Sequence, residues 1–166
     1  MDNFIIDVDS LINSKNKSSR NWKNHNFLFD KLSNMLSVKL NELNSNFKNI
    51  LLLSSDCNES LNIFKDKNFK NLIFISPYKE LLKNSKCDKN NILKVQSRFE
   101  NLPFANEKFD LIISNLYLHT INEKKNHLMK IFNLLNDDGL FLCNFFGEES
   151  LYELKNSLFE TDEKIF

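Results

Sequence analysis

Glycine and proline are nearly missing from this chain, with two of each in 166 residues. That scarcity excludes collagen-like and low-complexity architectures, and it leaves few residues able to turn left-handed or let backbone approach a ligand closely. Cysteine is sparse as well. Cys57, Cys87 and Cys143 stand far apart with no C-x-x-C spacing, which suggests neither a zinc site nor a disulfide framework. No charge of one sign prevails: 22 basic and 22 acidic residues cancel, so nothing electrostatic calls for a nucleic-acid partner. No apolar run approaches the roughly 18 residues of a membrane span, and the N-terminus lacks the apolar stretch of a signal peptide. A cytoplasmic location without a membrane span is the expectation.

What is present is apolar material enough for one core, at 42% hydrophobic residues, with asparagine, lysine, isoleucine and phenylalanine in the excess expected of AT-rich codons. Residues 1–25 are polar with no sustained apolar period and read as a loosely held arm, anchored at Trp22. From Phe27 to Leu43 the positions Leu28, Leu32, Met35, Leu36, Leu40 and Leu43 recur at helical steps. Short apolar runs follow, each succeeded by a helical stretch: "NILLLS", "NLIFIS", "NILKVQ", "FDLIISNL" and "GLFLCNFF". Runs apolar at successive positions are expected of parallel strands covered on both faces, so the pattern is β-α-β alternation.

Helix signals punctuate it. Ser76 precedes Pro77, Thr120 and Glu123 have capping-box spacing, and Gly139 can supply a left-handed stop before the last strand. Between Glu123 and Asn136 the buried stripe is expected at Leu128, Ile131, Phe132 and Leu135. A last helix is expected from about Glu148, with Leu151, Leu154 and Leu158 on one face and the Glu148, Glu149 pair favoured by the helix dipole.

With these elements placed, "RFENLPFANEKFDLIISNLYLHTINEKKNHLMKIFNLLNDDGLFLCNFFGEESLYELKNSL" resembles the second half of a class I S-adenosylmethionine-dependent methyltransferase domain of the type 11 kind. "LPF" with "FDLIISNLYLH" resembles the family's fourth strand and exit loop, and "LLNDDGLFL" its entry to strand five. "FFGEESLYELKNSL" and "FLFDKLSNMLSVKLNEL" are similar to a subgroup containing a respiratory complex I assembly factor that hydroxylates an arginine, with a biotin-pathway methyltransferase the next relative. The resemblance implies an α/β, truncated Rossmann-like methyltransferase fold: a parallel sheet of order 3-2-1-4-5 with an N-terminal helix. Its division of the chain is an arm at 1–25, a methyltransferase-like domain at 26–160 and a tail at 161–166.

The resemblance also implies S-adenosylmethionine as cofactor, and the aligned contact positions depart from the family pattern. Ser54, Asp56 and Asn58 stand where a glycine loop follows strand one, and a non-glycine held left-handed there costs about 1–2 kcal/mol. Leu52 replaces an acid within that strand. Phe74 replaces the acid that accepts from both ribose hydroxyls, and Arg98 replaces the aspartate facing the adenine amine. Asn115 is the remaining aligned contact. Each lost hydrogen bond is worth about 0.5–1.5 kcal/mol, so together they predict cofactor binding weakened by about two orders of magnitude or more. "DCNE" instead has capping-box spacing, with Asp56 accepting from the next helix and Glu59 reaching back, so the loop can close without a ligand.

Asn115, Tyr117 and His119 follow strand four at the carboxyl edge, where open α/β sheets bind ligands, and are the candidate catalytic residues. His119 is a possible base and Tyr117 a stacking wall; the alternative is that both simply pack. His25 and His127 read as surface residues and Cys57 as a bystander thiol. No two-histidine, one-carboxylate set suggests iron, so no metal is expected. Phe141, Phe145, Phe146 and Phe159 fall in or after the last strand, where an exposed sheet edge invites a protein partner, a respiratory complex subunit on the resemblance, or self-association. Three functions stand open: a binding or assembly factor with weakened cofactor use, an active methyltransferase, and an arginine hydroxylase.

Overall fold

Strand β1, Asn49–Ser54, explains the architecture around it. Alternate side chains of a strand point to opposite faces, and both faces here are dry. Leu51 and Leu53 enter one apolar cluster with Ile75, Ile112 and Ile131, while Ile50 and Leu52 enter another with Leu36, Leu40, Phe74 and Ile113. The structure, a computed structural model, describes residues 5–43, 46–87, 90–104, 108–147, 150, 152, 153 and 156.

Around β1 lie β2 (Asn71–Ser76), β3 (Ile92–Gln96), β4 (Phe109–Asn115) and β5 (Leu135–Asn144), in the order β3-β2-β1-β4-β5 with every pairing parallel. The expected fold is the observed one. The helices are α1 (Val8–Ser18), α2 (Trp22–His25), α3 (Phe27–Asn41), α4 (Cys57–Ser60), α5 (Lys79–Asn84) and α6 (Lys124–Leu134). At the amino edge Asp110 clamps the sheet: one carboxylate oxygen accepts from the backbone N–H groups of Lys48 (2.9 Å) and Asn49 (2.8 Å), the other from Asn136 (2.6 Å). Burial opposes that charge, but the three hydrogen bonds outweigh it and hold the carboxyl below its usual range.

Several local expectations are corrected. The arm is not loosely held over its described part: α1 starts at Val8 with Asp7 as cap, its side chain accepting from Ser10 N–H at 3.0 Å, and Trp22 is buried as an anchor. On α6 the buried stripe is His127, Ile131 and Leu134, with Leu128 and Phe132 exposed, the latter at 76%. The helix is turned by one position from the expected face because a histidine, polar by type, occupies a core position. Thr120 and Glu123 form no capping box: Thr120 Oγ1 donates to the Tyr117 carbonyl at 2.6 Å, and the Glu123 side chain caps nothing. Nor does Pro77 open a helix, since α5 starts two residues later, with Ser76 Oγ accepting from Tyr78 N–H at 3.3 Å.

Gly139 is not a left-handed helix stop. It lies in a bulge of β5, where two residues of β4 face a longer stretch between Leu135 and Leu140. A Cβ there would stand 2.9 Å from the Asn136 carbonyl oxygen, so close backbone approach is what requires glycine. Glu148, Glu149, Leu151, Leu154, Leu158 and Phe159 lie outside the described residues. Phe145 and Phe146 are exposed, as expected, and no helix among the described residues is long and apolar enough to cross a membrane.

Candidate functional site

The carboxyl ends of β1, β2 and β4 meet where open α/β sheets bind ligands. After β1, Ser54 is fully buried and its hydroxyl accepts from Ser60 Oγ at 2.6 Å. Asp56 caps α4 with extended backbone, its side chain accepting from Asn58 N–H at 2.7 Å. Asn58 turns its own carbonyl oxygen away, accepting from Lys86 N–H at 2.9 Å and from the Cys87 thiol at 3.5 Å. No residue of this loop has positive φ, so the left-handed strain expected at Ser54, Asp56 and Asn58 is absent. The loop follows a path that does not need glycine.

The expected capping box is half formed. Glu59 reaches toward the Asp56 carboxyl rather than its backbone, and its other contact is the Asn26 side-chain amide. Burial and the neighbouring Glu59 push the Asp56 carboxyl up to about 7. The Trp22 indole N–H is buried without a well-formed hydrogen bond, yet lies near enough to Asp56 to favour its charge. Trp22, Asp56, Asn58 and Glu59 line a cleft of about 630 Å³ whose rim carries Arg20, Lys23 and Lys86.

After β4 the picture is tighter. Asn115 is fully buried; its amide donates to Ser33 Oγ (2.9 Å) and Ser60 Oγ (3.2 Å), and its carbonyl accepts from Asn144 (2.9 Å). Asn144 in turn accepts from Leu116 N–H at 2.7 Å. Leu116 has φ of 53° and is the non-glycine residue of positive φ among those described. Both donors and the acceptor of Asn115 are thus used within the protein.

Tyr117 is buried beneath the edge, stacked on Phe99 with ring centroids 4.3 Å apart and its hydroxyl 2.8 Å from His127 Nε2. Burial pushes the phenol up and lowers the His127 imidazole to about 4. His127, expected at the surface, is therefore a buried neutral ring, and Tyr117 packs rather than facing the cleft. His119 is half-buried in the turn after β4, its ring 4.9 Å from that of Phe146. Burial, then the charges of Lys15 and Lys124, lower its proton affinity.

Phe74 lies two residues short of the β2 end, fully buried between Leu52 and Lys94 in register. The residue at the β2 end is Ser76, whose hydroxyl donates to the Ser55 carbonyl at 3.0 Å. Arg98 forms an exposed ion pair with Asp9 of the N-terminal segment. That segment spans the edge: Ile6 exchanges hydrogen bonds with Asn122 (2.8 and 3.0 Å), and Asn16 accepts from Glu80 N–H at 3.1 Å.

Two features had no signal in sequence spacing. Cys57 and Cys87, thirty positions apart, bring their thiols into hydrogen-bonding contact, which together with burial pushes the Cys57 thiol up. Lys15 lies over the Trp22 and Phe29 rings at 5.0 and 5.3 Å. Among the described residues no group of three His, Cys, Asp or Glu side chains is placed to hold a metal ion.

The sequence profile described as Methyltransferase domain matches residues 57–143, just over half of the 166 positions. The chain belongs to the class I S-adenosylmethionine-dependent methyltransferase family. Among relatives of this methyltransferase-family chain, RP459 of Rickettsia prowazekii (strain Madrid E), named for a methyltransferase, is 35% identical over 113 residues, which are 68% of this chain and 49% of that protein. The human protein named Arginine-hydroxylase NDUFAF5, mitochondrial, is 40% identical over 77 residues, 46% of this chain and 22% of that one. The chain therefore spans about half or less of these relatives. Among solved structures, the plantazolicin methyltransferase BpumL in complex with SAH shares the fold with a TM-score of 0.65 at 15% identity, over 82% of this chain and 55% of that one.

Proposed function

We propose that this methyltransferase-family chain has weakened S-adenosylmethionine binding and acts as a binding or assembly factor, with a respiratory complex I subunit as the partner implied by its resemblance. The carrying observation is Asn115. The side chain that the family alignment places against the cofactor commits both N–H donors to Ser33 and Ser60 and its carbonyl oxygen to Asn144. The rest of the edge supports the same reading. The hydroxyls of Ser54 and Ser76 are hydrogen-bonded internally, Asn58 is turned away, Arg98 is held by Asp9, and the β2 end offers a serine where a ribose diol needs a carboxylate. Breaking such bonds to admit a ligand costs about 0.5–1.5 kcal/mol apiece before any contact is gained. These residues do not fit the cofactor as the family ordinarily holds it, so no chemical step is assigned to it.

The binding-factor half rests on the flank. Leu128, Met129, Phe132 and Phe141 line an apolar groove of about 470 Å³ between α6 and β5, a surface that an apolar partner segment can cover. Calorimetric titration with S-adenosylmethionine and its demethylated product tests the first half: the expected result is no saturable heat at millimolar ligand, and micromolar affinity contradicts it. For the second half, cells deleted for the chain are expected to accumulate incompletely assembled complex I. Normal assembly after deletion removes the partner.

A further inference from the structure

Lys15 is a half-buried cation with an unusual set of neighbours. Its ammonium lies 5.0 Å from the Trp22 ring centroid and 5.3 Å from that of Phe29, and the two rings stand 4.9 Å apart at 55°. No carboxylate or carbonyl among the described residues accepts from its three N–H groups, and burial lowers its proton affinity. A primary ammonium ordinarily spends its N–H donors on oxygen acceptors. A pair of ring faces suits a cation that has no N–H to satisfy.

We propose that the Trp22 and Phe29 ring faces form a binding site for a quaternary ammonium group, and that Lys15 of α1 fills this site when the N-terminal segment is closed. Two further observations point the same way. Trp22 is shared with the cleft in which Asp56 and Glu59 lie, so an incoming cation meets carboxyl groups beside the rings. No residue of the plug helix is fully buried: Ile12 packs on the core from a partly buried position, the Asp9–Arg98 ion pair is exposed on both sides, and the polar ties to the rest of the fold are Glu80 N–H to Asn16 and the Ile6–Asn122 pair just ahead of the helix. Helices with so few buried contacts open locally at little cost.

Trp22 is the sole tryptophan of the chain, so intrinsic fluorescence reports on this site alone. Lys15→Ala vacates the rings while keeping a good helix former. The probes are choline chloride, 3,3-dimethyl-1-butanol as its uncharged isostere, and sodium chloride at matched ionic strength. The expected result is a saturable change in Trp22 emission with choline in Lys15→Ala, on the order of tenfold tighter than in the unsubstituted chain, absent with the alcohol and lost when Phe29→Leu is added. Equal responses to choline and the alcohol, or to choline and sodium chloride, overturn the site. In the unsubstituted chain choline must displace Lys15, so amide hydrogen exchange over Val8–Ser18 is expected to accelerate with choline and not with the alcohol. Unchanged exchange at saturating choline overturns the displacement.

Discussion

Two loops leave the carboxyl edge side by side, one after β1 and one after β4, and they meet the same demand in opposite ways. The β1 loop has three side chains at the family's glycine positions and no strained backbone: Asp56 is extended, Asn58 folds back on Lys86, and φ stays negative. The β4 loop keeps a leucine at φ 53° and holds it with Asn144 and Asn115. A leucine so placed costs on the order of 1–2 kcal/mol and persists only where neighbours over-determine it. The contrast teaches that losing glycine does not by itself strain a loop. Strain remains where a hydrogen-bonded network fixes the path, and is shed where a helix cap offers another.

The harshest attack on that comparison is Asn115→Ala. It removes one hydrogen bond each from Ser33, Ser60 and Asn144 and is expected to destabilise by roughly 2–4 kcal/mol in urea unfolding. A loss under 1 kcal/mol would mean that the β4 loop is not held by this network. Next comes His127, whose folded value of about 4 lies below the ordinary 6.5. The unfolded chain takes up the proton first, so stability is whole above pH 6.5 and declines as pH falls toward 4, by roughly 2–3 kcal/mol. His127→Phe is expected to flatten this slope in thermal melts followed across that window; a slope unchanged by the substitution places its source elsewhere.

The β1 loop is the milder test. Asp56→Ala removes a helix cap and is expected to cost about 1 kcal/mol, whereas Asp56→Asn keeps the cap and removes the charge facing Glu59. Because the folded carboxyl is raised to about 7, its contribution is fully present below the unfolded value near 4 and lost as pH rises through 7. Asp56→Asn is therefore expected to come close to the parent chain near pH 4 and to be increasingly the more stable as pH rises toward 8. The reverse ordering would show that the Asp56 charge is welcome and the loop is built around it.

Much of this was legible in the sequence because burial on two faces leaves a continuous apolar run. Ile50 to Leu53 and Leu111 to Ile113 announce central parallel strands without further help. The α1 helix was invisible for the matching reason: a helix that buries no residue carries no apolar period. The burial of His127 is not legible from residue type, because its partner, the Tyr117 hydroxyl, comes from ten positions away in a different element. At the site, the alignment brought Asn115 to the right edge, but whether its amide faces a ligand or Ser33 depends on a helix 82 positions earlier. The end of β2 is Ser76, two residues beyond Phe74, a boundary that the unbroken apolar run does not mark.

The most direct trial of the account is a crystal of the chain soaked in S-adenosylmethionine. The closed edge predicts no ligand density over Ser54 to Asn58 and an Asn115 amide still bonded to Ser33 and Ser60. A nucleoside seated there, with both ribose hydroxyls engaged and the Asn115 bonds released, would contradict it.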